Sequence, residues 1–271
     1  MNIIINSWYG RLGNNILQLT NAILIALYYK YNIIIPDHNY FNKTYIIIND
    51  KIDINDPKIF GDINLYFRNH IDNIEKSLLD LNHEKAIEIL RNCFKFPIIN
   101  NDFNENDVVI HMRGGDIFGK YPHHNYINPP LSYYINILIN KQFNKIYLIS
   151  EDNKNPCIKN LISKYPKIIH KIQSLDEDIK IILQAPNIIT SFGTFIPALL
   201  SMSTNIKNIY KPNYDFNNLL LKNVNIYETF LTTYRNMMYP WKNLKKQKII
   251  MLTYKCEFND VKSKDLKFIE V

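Results

Sequence analysis

The sequence predicts an α/β protein built from two Rossmann-like parts with largely parallel sheets. Two observations carry that expectation: a βαβ opening over residues 2–36, and four βα steps within about 100 residues, from Val108 to Tyr210. Composition agrees. With 46% hydrophobic and 21% charged residues, a chain of 271 is not disordered throughout and has enough apolar surface for a sizeable core.

Taken in order, Asn2–Asn6 is a short β-branched run, Ser7–Asn15 a loop, Ile16–Tyr31 a helix by its apolar spacing, and Ile33–Pro36 a second strand. Tyr45–Ile48 reads as a strand, and Ile74–Phe94 as one or two helices with Leu78, Leu81, Ile87 and Leu90 on the apolar face. Pro97 and the polar run Asn100–Asp107 then break the pattern and mark a linker. The expected domains are therefore residues 1–103 and 104–235, followed by a segment 236–271. In the second domain the strands are Val108–His111, Lys145–Ser150, Ile168–Ile172, Asn187–Thr190 and Lys207–Tyr210. The helices are Leu131–Asn140, Pro156–Tyr165, Asp176–Gln184 and Phe195–Met202; Pro156 suits a first turn, where a missing N–H does no harm. A helix around Ile226–Met238 and a strand over Lys248–Tyr254 complete the expectation.

The net charge of +7 favours anionic partners, nucleotide phosphates among them. Its densest cluster, Lys242, Lys245, Lys246 and Lys248, reads as a solvated face, and no nucleic-acid-binding motif accompanies it. Three widely spaced cysteines, Cys93, Cys157 and Cys256, fit neither a disulfide framework nor a Cys-x-x-Cys metal site, which points to a reducing compartment. The first residues lack the basic region and long apolar core of a signal peptide. Ile16–Tyr31 is too short and too polar to span a bilayer, so a cytoplasmic location is expected.

Three constellations carry chemistry. Gly10-Arg11-Leu12-Gly13-Asn14-Asn15 follows a strand and opens a helix. N–H groups at a helix N-terminus attract anions, the glycines admit a close ligand, Arg11 adds a donor fork and Asn14 an amide. A tight βα turn with no ligand explains the same residues. A dinucleotide site, which Asp37 would serve, needs Gly-x-Gly-x-x-Gly and finds only two glycines.

The second constellation is Val108 to Asp116, a strand that delivers His111, Arg113 and Asp116 to its carboxyl end, where open α/β sheets bind ligands. Gly114 and Gly115 leave the backbone bare beside the guanidinium, which suits a pyrophosphate. An Arg113–Asp116 ion pair closing a turn accounts for the charges, but not for the histidine and paired glycines. The third is Ser191-Phe192-Gly193-Thr194-Phe195, where hydroxyls and a glycine meet the start of a helix. Ser191 and Thr194 suit phosphate oxygens, or serve as a helix cap with Phe192 and Phe195 as core. Asp178 stands in the first turn of the preceding helix, where acids also stabilise the dipole.

Together with Ile146-Tyr147-Leu148-Ile149-Ser150-Glu151-Asp152, these motifs resemble the α1,2-, α1,6- and protein O-fucosyltransferase superfamily, from Asn2 to about Pro212. The resemblance implies a GT-B-like fold, two Rossmann-like domains facing a cleft, with residues 1–103 on the acceptor side and 104–235 binding the nucleotide sugar. It implies inverting, metal-independent transfer of fucose from GDP-fucose to a glycan or other hydroxyl acceptor, with no cofactor besides that donor. Residue by residue, Arg113 would bind the β-phosphate and stabilise departing GDP, with Arg11 and Asn14 as further catalytic groups. His111 and Asp178 would read the guanine. Gly114, Gly115, Asp116, Ser191, Phe192, Gly193 and Thr194, with Gly10 and Gly13, would line the donor site.

The chain departs from the superfamily in two places. Many relatives carry a second arginine where Gly114 stands, and Ser191-Phe192-Gly193 is a looser form of the usual Thr-Phe-Ser. No Asp-x-Asp metal motif occurs, although Asp53-Ile54-Asn55-Asp56 comes near it. Asp37, His38, Asp116, His123 and His124 are the candidate bases, and Tyr121–Pro130 a candidate acceptor-side loop. The alternatives are a transferase for another nucleotide sugar and a non-catalytic nucleotide-sugar or glycan-binding protein. A nicotinamide oxidoreductase would need the missing third glycine.

Overall fold

A computed structural model describes residues 2–49, 57–59, 82–97, 102–214, 224–257 and 261–262. The chain divides into two compact units, Met1–Ile98 with Pro197–Met202, and Ile99–Ile196 with Ser203–Val271.

In the first unit, strands β1 (Asn2–Ile4), β2 (Asn32–Ile34), β3 (Tyr45–Ile46) and β4 (Pro57–Ile59) form a sheet of order β3-β2-β1-β4, parallel except for β3. Helix α1 (Leu12–Tyr29) makes the crossover from β1 to β2 and buries Ile16, Leu19, Ile23 and Ala26 along one side. It starts four residues before the expected Ile16, so the loop expected over Ser7–Asn15 gives way at Leu12. The reason is burial: Arg11 takes an extended N-cap conformation, and Leu12, Gly13 and Asn15 are already buried in the first turn. Helix α2 (His83–Cys93) buries Ala86, Ile87, Leu90 and Cys93 at helical spacing and packs on α1. The earlier part of the helix expected from Ile74, with Leu78 and Leu81, lies outside the described residues, as does Asp53–Asp56.

The second unit holds β5 (Val108–His111), β6 (Ile146–Ile149), β7 (Ile168–His170), β8 (Asn187–Ile189), β9 (Asn208–Pro212), β10 (Asn225–Thr229) and β11 (Val261–Lys262). Their order is β11-β10-β9-β8-β5-β6-β7, parallel except for β11. Helices α3 (Leu131–Asn140), α4 (Pro156–Lys164), α5 (Leu175–Gln184) and α6 (Phe195–Leu200) join successive strands from β5 to β9. The chain winds outward through β5, β6 and β7, then returns to lay β8 on the other side of β5 and continues to β9 and β10. That is the doubly wound order. Val108, Val109, Ile110, Ile188 and Ile189 are all buried, as strands covered on both faces require.

Asparagines pin the register at the amino edge of this sheet. Asn208 Nδ2 donates to Asn187 Oδ1 at 2.7 Å and Asn225 Nδ2 to Asn208 Oδ1 at 2.9 Å, across strands paired at those residues. A slip of one residue would turn the ladder to the opposite face.

Two expectations near the C-terminus are corrected. Residues 226–238 are not one helix: β10 pairs with β9 along its whole length, and only α7 (Thr232–Met238) is helical. Lys248–Thr253 is not a strand but part of helix α8 (Lys245–Thr253): Gln247 and Met251 are buried while Ile249 between them is exposed, whereas a strand would put all three on one face. The adjoining Trp241 and Met251 enter the core of the second unit, and α8 packs on α3 and α4.

Candidate functional site

β5 and β8 are the neighbouring strands between which the winding direction reverses, the place where doubly wound sheets bind ligands. His111 ends β5 and Arg113 follows it; Ser191 follows β8. Beneath them the buried Tyr133 hydroxyl reaches the carbonyls of Thr190 (3.2 Å) and Tyr210 (2.9 Å), tying the exits of β8 and β9 to α3.

The Arg113 backbone N–H donates to Ser191 Oγ at 3.1 Å, and Ser191 Oγ lies 3.0 Å from His111 Nδ1. The Ser191 hydroxyl therefore bridges the Arg113 backbone and the imidazole, and the tautomer of His111 decides which partner donates across the second contact. Burial, and then the Arg113 guanidinium, lower the His111 pKa to about 3, so the ring is neutral at physiological pH.

The Arg113 guanidinium lies over the Tyr126 ring, 4.3 Å from its centre. Among the described residues it meets one carboxylate, Asp116, at 3.4 Å, with side-chain exposures of 20% and 52%. So long and solvated a pair contributes little and leaves the fork available to a ligand. Gly193, at φ 138°, closes the other side: a Cβ there would stand 2.6 Å from Arg113 Nη1.

The Gly114-Gly115 turn is held from the loop after β6. Gly115, at φ 66°, donates its N–H to Asp152 Oδ1 at 3.2 Å. A Cβ on Gly114 would meet the same oxygen at 2.5 Å, so a side chain there would have to displace the Asp152 carboxyl. Burial raises the Asp152 pKa, but hydrogen bonds from Lys154 and from the Gly115 N–H outweigh it and hold the carboxyl below its ordinary value. Asn155 completes the frame: Nδ2 donates to the Arg113 carbonyl at 3.1 Å, while Oδ1 caps α4 by accepting from Cys157 N at 3.0 Å.

The structure thus brings together His111, Arg113, Gly114, Gly115, Asp116, Ser191 and Gly193. Phe192 is buried against Tyr126 and Tyr214, and half-buried Thr194 directly precedes α6. Asp178 stands in the first turn of α5, the helix that follows β7, and β7 is separated from β5 by β6 in the sheet. Its Oδ1 accepts from Gln173 Nε2 at 3.0 Å, and burial raises its pKa to about 6 against that bond. Tyr126 and Asn155 were not singled out by the motifs. Asn155-Pro156 is legible only as a helix start, and Tyr126 only as part of an aromatic loop.

Gly10, Arg11, Gly13 and Asn14 belong to the first unit, where they form the turn into α1. Gly10, at φ 70°, sits against the Asn14 side chain, and Arg11 is exposed. Gln18 accepts from Tyr9 N (3.0 Å) and donates to Ser7 O (3.2 Å), and Asn15 donates to Tyr9 O (3.0 Å), so this loop is fixed on its helix. His38 takes the Tyr40 N–H on Nδ1 at 3.1 Å and sets Nε2 against Asn15 Oδ1 at 3.2 Å. Both of its nitrogens are thus engaged within this unit, and burial, then Lys95, lower its pKa. A cavity of about 450 Å³ in this unit is lined by Asp37, His38, Lys43, Thr44 and Lys95 among others.

Among the described residues, no group of three or more His, Cys, Asp or Glu side chains is placed to hold a metal ion, and no helix is long and apolar enough to cross a membrane. The sequence matches no protein-family model and no curated protein. Among solved structures, the chain is similar to NodZ alpha-1,6-fucosyltransferase soaked with GDP-fucose, at 10% identity and a TM-score of 0.43, over 79% of this chain and 95% of that one.

Proposed function

We propose that the protein is a glycosyltransferase that moves fucose from GDP-fucose to a hydroxyl acceptor with inversion. The observation that carries this reading is the Arg113 fork. It is set between the face of Tyr126 and the bare backbone of Gly193 at the sheet's switch point, with one long carboxylate contact to satisfy it.

In such a transfer the acceptor oxygen attacks the anomeric carbon as the bond from that carbon to the β-phosphate oxygen breaks. The bonding electron pair leaves on GDP, and the hydroxyl proton passes to a base or to water. Negative charge grows on the diphosphate, and a preorganised guanidinium is worth most there. The positive charge on Arg113 lets the leaving group depart with no metal in the scheme. His111 and Asp178 would read the guanine, the Asp178 carboxylate accepting from the guanine ring N–H and exocyclic amine. Arg11 and Asn14 are proposed as further catalytic groups.

The test is thermal stabilisation by GDP, UDP and ADP, followed by transfer or hydrolysis of GDP-fucose with and without EDTA. Selective stabilisation by GDP and activity that survives chelation are expected. Equal shifts for all three nucleotides would reduce the site to a generic phosphate binder. GDP-selective binding without turnover of any donor would support the non-catalytic reading instead.

A further inference from the structure

Helix α8 begins with Lys245 and Lys246, has Lys248 in the same turn, and is preceded by Lys242. The positive end of a helix dipole disfavours cations in that position, and no acid stands in the first turn to offset them. Among the described residues none of the four lysines meets a carboxylate. Lys245, Lys246 and Ile249 share the outward face of α8, opposite Gln247 and Met251. Large apolar groups are exposed beside them: Leu244 and Ile249 at 52%, Met237 at 54% and Tyr239 at 55%.

This surface is built, not draped. The Gln247 amide donates to the carbonyls of Met238 and Pro240, both at 2.8 Å, and accepts from the N–H groups of Lys242 (3.0 Å) and Leu244 (3.1 Å). Trp241 is buried and donates from Nε1 to the Ile117 carbonyl at 2.7 Å. Residues 239–244 therefore point Trp241 inward and hold Tyr239, Lys242 and Leu244 outward. Asn243 Nδ2 donates to the carbonyls of Phe118 and Gly119, which joins the surface to the segment that follows Asp116.

We propose that this surface docks on a membrane rich in anionic phospholipid, the lysines meeting headgroup phosphates while Leu244, Ile249 and Tyr239 enter the interface. The apolar groups among the lysines favour a lipid surface over nucleic acid, whose backbone offers no layer to receive them. The proposal does not rest on the identity of the sugar donor.

The test is co-sedimentation of the full chain with phosphatidylcholine vesicles, with and without phosphatidylserine. Binding is expected only to the anionic vesicles, and it should weaken with added salt. One lysine near such a surface is worth roughly fivefold in partitioning, so Lys242→Glu/Lys245→Glu/Lys246→Glu should lower it by at least about 100-fold. The same charge change at exposed lysines elsewhere, Lys85→Glu/Lys159→Glu/Lys164→Glu, should leave most of the binding intact. Leu244→Ser/Ile249→Ser should weaken binding roughly tenfold, since two buried aliphatic groups are lost. All these side chains are exposed, and an unchanged melting temperature verifies each fold. Equal loss in the two triple variants, or equal binding to both kinds of vesicle, would overturn the proposal. So would single-stranded RNA binding as tight as vesicle binding, with the serine variant unaffected in both.

Discussion

The backbone N–H of Arg113 is bonded to the Ser191 hydroxyl at 3.1 Å, so the first residues beyond β5 and β8 are stitched together at the point where the sheet reverses its winding. That single bond sets the origin of the Arg113 side chain, and the same oxygen lies 3.0 Å from His111 Nδ1.

Arg113→Lys keeps the charge and loses the fork. If Arg113 acts on charge developing in the leaving group, turnover should fall by roughly 100–1,000-fold, and GDP affinity by much less. The melting temperature should hold, because the Asp116 pair is long and solvated. A folded and fully active Arg113→Lys protein would end the catalytic assignment.

Tyr126 should act by positioning Arg113. A cation–π contact of this kind is worth roughly 0.5–2 kcal/mol, so Tyr126→Ala should weaken GDP binding by about 2- to 30-fold. Tyr126→Phe preserves the ring face and should restore it. Titration calorimetry on both variants checks this, and a Phe variant as weak as Ala would assign the role to the hydroxyl instead.

Asp178 links pH to both stability and selectivity. Its folded pKa, about 6, lies above the ordinary 3.8, so the folded chain keeps a proton that the unfolded chain has released between those values. Stability of the ligand-free protein should therefore fall as pH rises through that window and level off above it. Asp178→Asn should remove that slope and raise the melting temperature at neutral pH. Guanine selectivity should run the other way, weakening as pH falls below about 6 and the carboxylate is lost. Melting curves and GDP-against-ADP titrations across this range would expose either sign as wrong.

Gly114 and Asp152 should be energetically coupled. Gly114→Ala forces a methyl group against Asp152 Oδ1 and should cost about 1–3 kcal/mol, as overpacking does. Asp152→Ala should also destabilise, since it leaves the Gly115 N–H without its acceptor. The double variant should cost less than the sum, because the clash is gone; strict additivity in denaturant melts would refute the crowding argument.

Much of this site was legible because strand ends announce themselves. Val108–His111 is a β-branched run followed within four residues by two glycines, and the repeated βα rhythm places its carboxyl edge. What lay hidden was long-range. Asn155 reaches the Arg113 carbonyl across 42 residues and Asp152 reaches Gly115 across 37, and neither spacing has a local pattern. The errors near the C-terminus have a different cause. Ile249-Ile250 looks like a strand by propensity, yet the burial of Gln247 and Met251 with Ile249 exposed between them fits only a helix. In the same way, buried Leu12 and Asn15 extended α1 through a Gly-Asn-Asn stretch that favours loops.

Burial has taken the charge from His111. With its pKa near 3 the ring stays neutral at physiological pH, while the Asp178 carboxyl, at about 6, titrates close to it. If the proposed donor reading holds, the two groups divide their labour: the polarity at the β5 end stays steady as the pH falls toward 6, and the one at Asp178 is lost. Mild acidification would then blur which base is chosen while leaving the contacts to the phosphates in place.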